Sequence, residues 1–202
     1  MKSMIGILVA AFAFFAADIN AQQAKIGENA PAFTLTDSKG ESHSLSDFAG
    51  KIVVLEWVNE GCPFVKKHYE TGNMQDLQER LTDAGVVWLS VCSSAPGKQG
   101  HMSADAINEW LDDQGSHATA YLIDEDGAVG KAYGAKTTPH MYVIDASGAL
   151  AYAGAIDDQP SADRETVVGA ENYVANAADA LERGKEVETK VSKPYGCSVK
   201  YK

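Results

Sequence analysis

The feature that most constrains this chain is a short apolar run that empties directly into a cysteine and a proline. Residues 52–57 read Ile-Val-Val-Leu-Glu-Trp, nearly continuous in apolar character, rich in β-branched residues and preceded by Gly50. Such a run suits a strand buried on both faces, as in the middle of a largely parallel sheet. A loop of Val58-Asn59-Glu60-Gly61 follows, then Cys62-Pro63 and a helical pattern toward Leu81 with a break expected at Gly72. Proline suits the first turn of a helix, where its missing N–H costs nothing. Cys62 therefore falls at the helix N-cap, where free backbone N–H groups and the helix dipole favour an anion. A thiolate is such an anion, and it is the reactive form of cysteine. Lys66, one turn on, is expected to add positive charge. The alternative for Cys62 is a structural, buried cysteine.

The rest of the chain alternates in the same style. Strand patterns occupy 33–36, 86–91, 119–123, 141–144 and 150–155, the last two joined by the turn Ala146-Ser147-Gly148. Helical patterns occupy 103–111, with Ser103 as cap, 129–133 and 173–181, the last ended by Gly184. Residues 38–50 read as a turn and a polar stretch. Strand–helix alternation followed by an antiparallel pair predicts an α/β fold with a mixed central sheet flanked by helices. Val86–Val91 should run parallel to 52–57, so Cys92 is expected at the same sheet edge as Cys62, either near it or simply as a small loop residue.

The opening residues differ from all of this. Lys2 precedes a nearly unbroken apolar stretch, residues 4–17, and small Ala21 stands before a candidate cut. That is the layout of a secretory signal peptide. The alternative, a membrane anchor, needs ~20 apolar residues. The expected organisation is a signal peptide at 1–21, one domain at 22–184 and a tail at 185–202 carrying Cys197. The mature protein is then periplasmic or extracellular, without stable membrane insertion. A net charge of −11 excludes a nucleic-acid partner, which requires a basic face, and electrostatic attachment to anionic lipid. Three cysteines, Cys62, Cys92 and Cys197, are too few for a disulfide scaffold, and an odd number leaves at least one unpaired within the chain. His68, His101 and His140 lack metal-ligand spacing with Cys62, so neither a metal nor a cofactor is expected.

The strand–loop–helix around Cys62 resembles the active-site segment of the thioredoxin superfamily. The lead-in Gly27-Glu28-Asn29-Ala30-Pro31-Ala32-Phe33-Thr34-Leu35 and Gly50-Lys51-Ile52-Val53-Val54-Leu55 resemble its redoxin branch, which holds peroxiredoxins and exported thiol-disulfide oxidoreductases. The similarity spans roughly residues 25–183. Cys62-Pro63-Phe64-Val65-Lys66 and the Ser93-Ser94-Ala95-Pro96-Gly97 loop resemble a peroxiredoxin-like group within that branch. The resemblance implies a thioredoxin-like fold with an N-terminal redoxin-type extension, and Cys62 as a nucleophile toward disulfides or peroxides. It implies Glu56 as a buried general base, against the alternative of a partly exposed strand residue. It also implies Thr138-Pro139 as a cis-proline loop, against a trans proline opening an edge strand. Val65 occupies the place where a thioredoxin carries its second cysteine and a peroxiredoxin its peroxide-reacting one. The threonine frame with which peroxiredoxins bind peroxide is missing as well. A second thiol must then come from elsewhere: Cys197 as candidate resolving thiol, Cys92, or a small-molecule thiol. The expected function is a thiol-disulfide oxidoreductase or thiol-dependent antioxidant acting on protein or small-molecule thiols, disulfides or peroxides. The rivals are a non-catalytic binding or chaperone module of the same fold, and a copper or zinc handler.

Overall fold

Every residue of the strand that leads to Cys62 is buried, and this decides what can lie beside it. The computed structural model describes residues 23–202, so the expected signal peptide lies outside the described residues. The strands are β1 (Thr34–Asp37), β2 (Ser42–Ser44), β3 (Val53–Trp57), β4 (Val87–Cys92), β5 (Ala120–Ile123), β6 (Thr137–Thr138), β7 (His140–Ile144), β8 (Leu150–Gly154) and β9 (Cys197–Ser198). The helices are α1 (Pro63–Glu70), α2 (Asn73–Asp83), α3 (Ala104–Gln114), α4 (Ala128–Tyr133) and α5 (Tyr173–Glu182). Seven strands form one mixed sheet in the order β2-β1-β5-β4-β3-β7-β8, and β6 and β9 form a separate two-stranded ribbon.

Burial on both faces places β3 inside the sheet, bonded on both edges. It runs parallel to β4, with Leu55 opposite Leu89, and antiparallel to β7, with Trp57 opposite His140. Alternate residues feed two cores. Val54, Trp88, Met141 and Tyr152 pack with Val65 and Tyr69 of α1, Leu77 and Leu81 of α2, and Val174 and Ala177 of α5. Leu55, Trp57, Leu89, Leu122 and Tyr142 pack on the other side with Tyr133 of α4 and Phe33 of the lead-in. The break expected at Gly72 is present: its φ of +77° is a left-handed conformation that side-chain-bearing residues avoid, and α2 restarts from it. Ser103 caps α3 by accepting a bond from the Ala106 N–H. Among the described residues, no helix is long and apolar enough to cross a membrane.

One expectation needs revision. The polar stretch before Gly50 contains the edge strand β2 and a 3-10 turn at Leu45–Phe48, because Thr34 and Thr36 of β1 give Ser44 and Ser42 a ladder to join. The short pattern Ser-His-Ser carries no apolar alternation that would have marked it. The tail, in turn, is bonded along its length. Val191 bridges Ala153 of β8, Cys197 pairs with Thr138, the Val199 N–H donates to the Lys136 carbonyl, and the Lys200 carbonyl accepts from the Ala95 N–H. It crosses the end of the sheet from β8 to the loop after β4.

Gly196 permits that crossing. Its φ is +134°, and a Cβ there would fall onto the Thr138 carbonyl. Gly196→Ala is expected to detach β9 and leave the seven-stranded sheet intact. Hydrogen exchange checks this: protection at the Val199 amide should be lost while the Leu55 and Leu89 amides stay protected.

Candidate active site

Cys62 takes the position expected of it, as the N-cap of α1 in extended conformation with Pro63 at the first helical position. Its side chain is fully buried. The antiparallel register explains what covers it. Trp57 ends β3 opposite His140 at the start of β7, so the loop after Trp57 meets the segment before His140. That segment is Thr138-Pro139, whose peptide bond is cis. The Cys62 thiol donates to the Thr138 carbonyl at 3.0 Å. The Thr138 side chain is buried, and its hydroxyl has no partner other than the Cys62 sulfur. On the other side of β6 lies the tail, with Cys197 directly opposite Thr138 in the ladder.

Cys62 and Cys197 are therefore adjacent, and both are free thiols. Burial opposes ionisation of Cys62. It is outweighed by hydrogen bonding from the Cys197 thiol, the Thr138 side chain and the Val65 and Cys197 backbone N–H groups, and the Cys62 thiol is held below the ordinary cysteine range. Cys197 is pushed the other way, up to about 11, by burial and by its neighbour Cys62. The two thiols are thus differentiated, with Cys62 the more readily ionised of the two. Lys66 is not among the leading causes. It is exposed, and Cys62 owes its acidity to hydrogen bonds rather than to a neighbouring ammonium group.

Cys92 does not join the pair. It ends β4 at the same sheet edge, but its thiol is buried and donates to the Gly100 carbonyl at 3.2 Å. Burial pushes it above the ordinary range, the mark of an inert thiol. Glu56 is completely buried, and the partly exposed alternative is excluded. Its carboxylate accepts from Tyr69 Oη at 3.1 Å, Trp88 Nε1 at 2.9 Å, Ser90 Oγ at 3.1 Å and Gln78 Nε2 at 3.3 Å. Burial raises its pKa in spite of these donors. Neither cysteine is among its hydrogen-bond partners. The three histidines singled out earlier are each engaged elsewhere: His101 with Glu125 at 3.0 Å, His140 with Tyr142 at 3.1 Å and His68 with Tyr195 at 3.2 Å.

The sequence reading missed a buried polar socket next to Cys62. Lys67 and His68 of α1 and Asp157 beyond β8 are all buried, and they surround the Tyr195 hydroxyl of the tail. Lys67 Nζ lies 3.6 Å from Asp157 Oδ2 and donates to the Gln159 carbonyl at 3.0 Å. The available signal was a tyrosine two residues before the tail cysteine, which only contacts across the fold connect to Lys67.

Two measurements test this electrostatic picture. Thr138→Val, in a background lacking Cys92, should raise the Cys62 pKa, read from the ultraviolet absorbance of the thiolate across a pH series. Glu56 concerns stability. Its folded pKa is raised, so the folded state holds this proton at pH values where the unfolded chain, with a glutamate pKa of about 4.3, has released it. Relative to Glu56→Gln, the native protein should lose stability as pH rises above that value and level off once Glu56 ionises in the fold. Urea unfolding of both proteins over pH 4 to 8 reads the difference.

Comparison with known proteins agrees with this geometry. Residues 26–153 match the AhpC/TSA family. The thiol-disulfide oxidoreductase ResA of Geobacillus kaustophilus is 31% identical over 123 residues, which are 61% of this chain and 65% of ResA. The peroxiredoxin Bcp of Escherichia coli K12 is 25% identical over 149 residues, covering 59% of this chain and 92% of Bcp. Among solved structures, an uncharacterised conserved protein from Geobacillus kaustophilus superposes with a TM-score of 0.74 at 29% identity, covering 88% of this chain and 93% of that one. The match thus spans just under two thirds of ResA. A thioredoxin-like fold, a cysteine capping the helix after its central strand and a family match over most of the described residues lead to one assignment: the chain belongs to the AhpC/TSA family.

Proposed function

We propose that this protein is an exported thiol-disulfide oxidoreductase whose working pair is Cys62 and Cys197. The observation that carries the reading is the pairing of Cys197 with Thr138, which brings a second sulfur beside Cys62 where Val65 supplies none. The kinship with ResA and Bcp supports thiol redox chemistry. The apolar stretch at residues 4–17 supports export.

In this reading the Cys62 thiolate attacks one sulfur of a substrate disulfide. A Cys62–substrate disulfide forms, and the other substrate sulfur leaves as a thiolate and takes a proton from solvent. Cys197 then gives up its proton and attacks the Cys62 sulfur. The second substrate thiolate departs, and the Cys62–Cys197 disulfide holds the oxidising equivalents. The substrate has gained two electrons, and an external dithiol returns them to the protein. The Thr138 hydroxyl and the Val65 and Cys197 N–H groups favour the Cys62 thiolate at the start and as a leaving group in reverse. Glu56 is the candidate general base; its carboxylate is bonded to Tyr69, Gln78, Trp88 and Ser90 and to neither thiol. A peroxide would follow the same route: Cys62 attacks its oxygen, the sulfenic acid forms with release of an alcohol or water, and Cys197 closes the disulfide with loss of water.

Cys62→Ser should abolish turnover with disulfide and peroxide alike. Cys197→Ser should still take up one equivalent of substrate on Cys62 and stop there, visible by intact mass as a stable mixed disulfide. Cys92→Ala should turn over like the native protein. Release of both substrate thiols in a single turnover of pre-reduced Cys197→Ser, with no added thiol, would refute the pair, and the ratio of disulfide to peroxide rates would say which substrate class it serves.

A further inference from the structure

Cys197 reaches Cys62 from a tail, and a tail thiol is effective only if something holds it in place. Four contacts converge on Tyr195, two residues earlier. Its hydroxyl donates to Asp157 Oδ1. The same oxygen lies 3.2 Å from His68 Nε2 and 3.4 Å from Lys67 Nζ. The Asn73 side-chain amide lies 2.8 Å from His68 Nδ1; with that amide donating, the proton of the neutral ring sits on Nε2 and points at Tyr195. The Phe64 ring meets the Tyr195 ring edge-on, with centroids 5.8 Å apart.

Burying a lysine, a histidine and an aspartate together is costly unless each finds its partners. Here burial drives the His68 pKa down to about 3, so the ring is neutral, and it lowers that of Lys67 against the pull of Asp157. What the cluster gains is a grip on one hydroxyl of the tail. Phe64, Lys67 and His68 all belong to α1, the helix capped by Cys62. The socket therefore fixes the tail to the same rigid element that carries the partner thiol. Extended chain rises about 3.3 Å per residue, so an anchor at Tyr195 leaves Cys197 on a tether of only ~7 Å.

Resting on the reading that Cys62 and Cys197 are the working pair, we propose that Tyr195 is a positioning residue. The socket of Lys67, His68 and Asp157 holds its hydroxyl and thereby sets the effective concentration of Cys197 at Cys62. Remove the hydroxyl and the nearest upstream anchor becomes Ser192, bonded to the Ala155 N–H at 2.8 Å. Cys197 is then held by the β6–β9 ladder and the Phe64 ring contact without the socket, samples more positions away from Cys62, and closes the disulfide more slowly.

The test compares native protein with Tyr195→Phe, which keeps the ring and its contact with Phe64, both lacking Cys92. Each is equilibrated with reduced and oxidised glutathione, and the Cys62–Cys197 disulfide is measured by intact mass. The rate at which the Cys62–glutathione disulfide closes onto Cys197 is measured separately. Glutathione disulfide and Cys62 give that mixed species and one glutathione; closure releases the second. Tyr195→Phe should lower the effective concentration of Cys197 about tenfold, ~1.4 kcal/mol, and slow closure by a similar factor. Asp157→Asn should shift both in the same direction. In a Cys197→Ser background, Tyr195→Phe should leave the first attack on glutathione disulfide no slower. An unchanged equilibrium and closure rate in Tyr195→Phe would overturn the proposal, as would a matching fall in the first step, which would mark general damage to α1. If the native protein forms no Cys62–Cys197 disulfide at all, the pair itself is wrong and the positioning role falls with it.

Discussion

The register between β3 and β7 is the constraint on which the site depends. Trp57 lies opposite His140 at the end where β3 stops and β7 begins. Because the strands are antiparallel, the chain leaving β3 and the chain entering β7 emerge at the same edge. Cys62 and Thr138 are carried by those two connections and meet at 3.0 Å. A one-residue slip would turn every side chain of β3 to the opposite face and send residues fitted to one core into the other. The packing that stabilises the sheet is thus also what aligns the two loops.

The tail adds the component that the helix lacks. Positions after Cys62 in α1 offer Val65, which is buried and contributes its backbone N–H but no sulfur. Pairing of β9 with β6 brings Cys197 in as a separate strand. Cys62 is buried, while Cys197 keeps partial exposure. Two thiols of the same intrinsic chemistry become unequal through their surroundings. One collects hydrogen-bond donors, and the other lies next to a neighbour that discourages its ionisation. Buried polar groups elsewhere follow the same rule: Glu56 is surrounded by donors from three elements, and Lys67, His68 and Asp157 converge on one tyrosine.

Much of this was legible before any contact was known. The apolar run ending at Trp57, Pro63 after Cys62 and the interruption at Gly72 are local signals, and β3, α1 and α2 follow them closely because burial pattern and backbone preference agree there. The cis bond before Pro139 and the burial of Glu56 followed from family resemblance. Less local features were harder to read. Lys66 was singled out for its spacing from Cys62, yet Lys67, one residue on, is the buried lysine, because the face that α1 turns inward is set by what packs against it. Cys92 shares the sheet edge of Cys62 but turns to the Gly100 carbonyl. Strand β2 escaped notice because a three-residue edge strand has no periodicity to detect.

What the sequence determined by itself was the strand–loop–helix and the cysteine at its mouth, since propensity, capping and hydrophobic alternation act between near neighbours. What only the tertiary structure decided was which second thiol stands beside Cys62. Cys92 and Cys197 were both open to that role, and nothing local distinguishes them. The choice was made by a ladder between residues far apart in the chain, Thr138 and Cys197, and by a buried socket that grips Tyr195. Both depend on side chains brought together by folding, which no short-range pattern encodes.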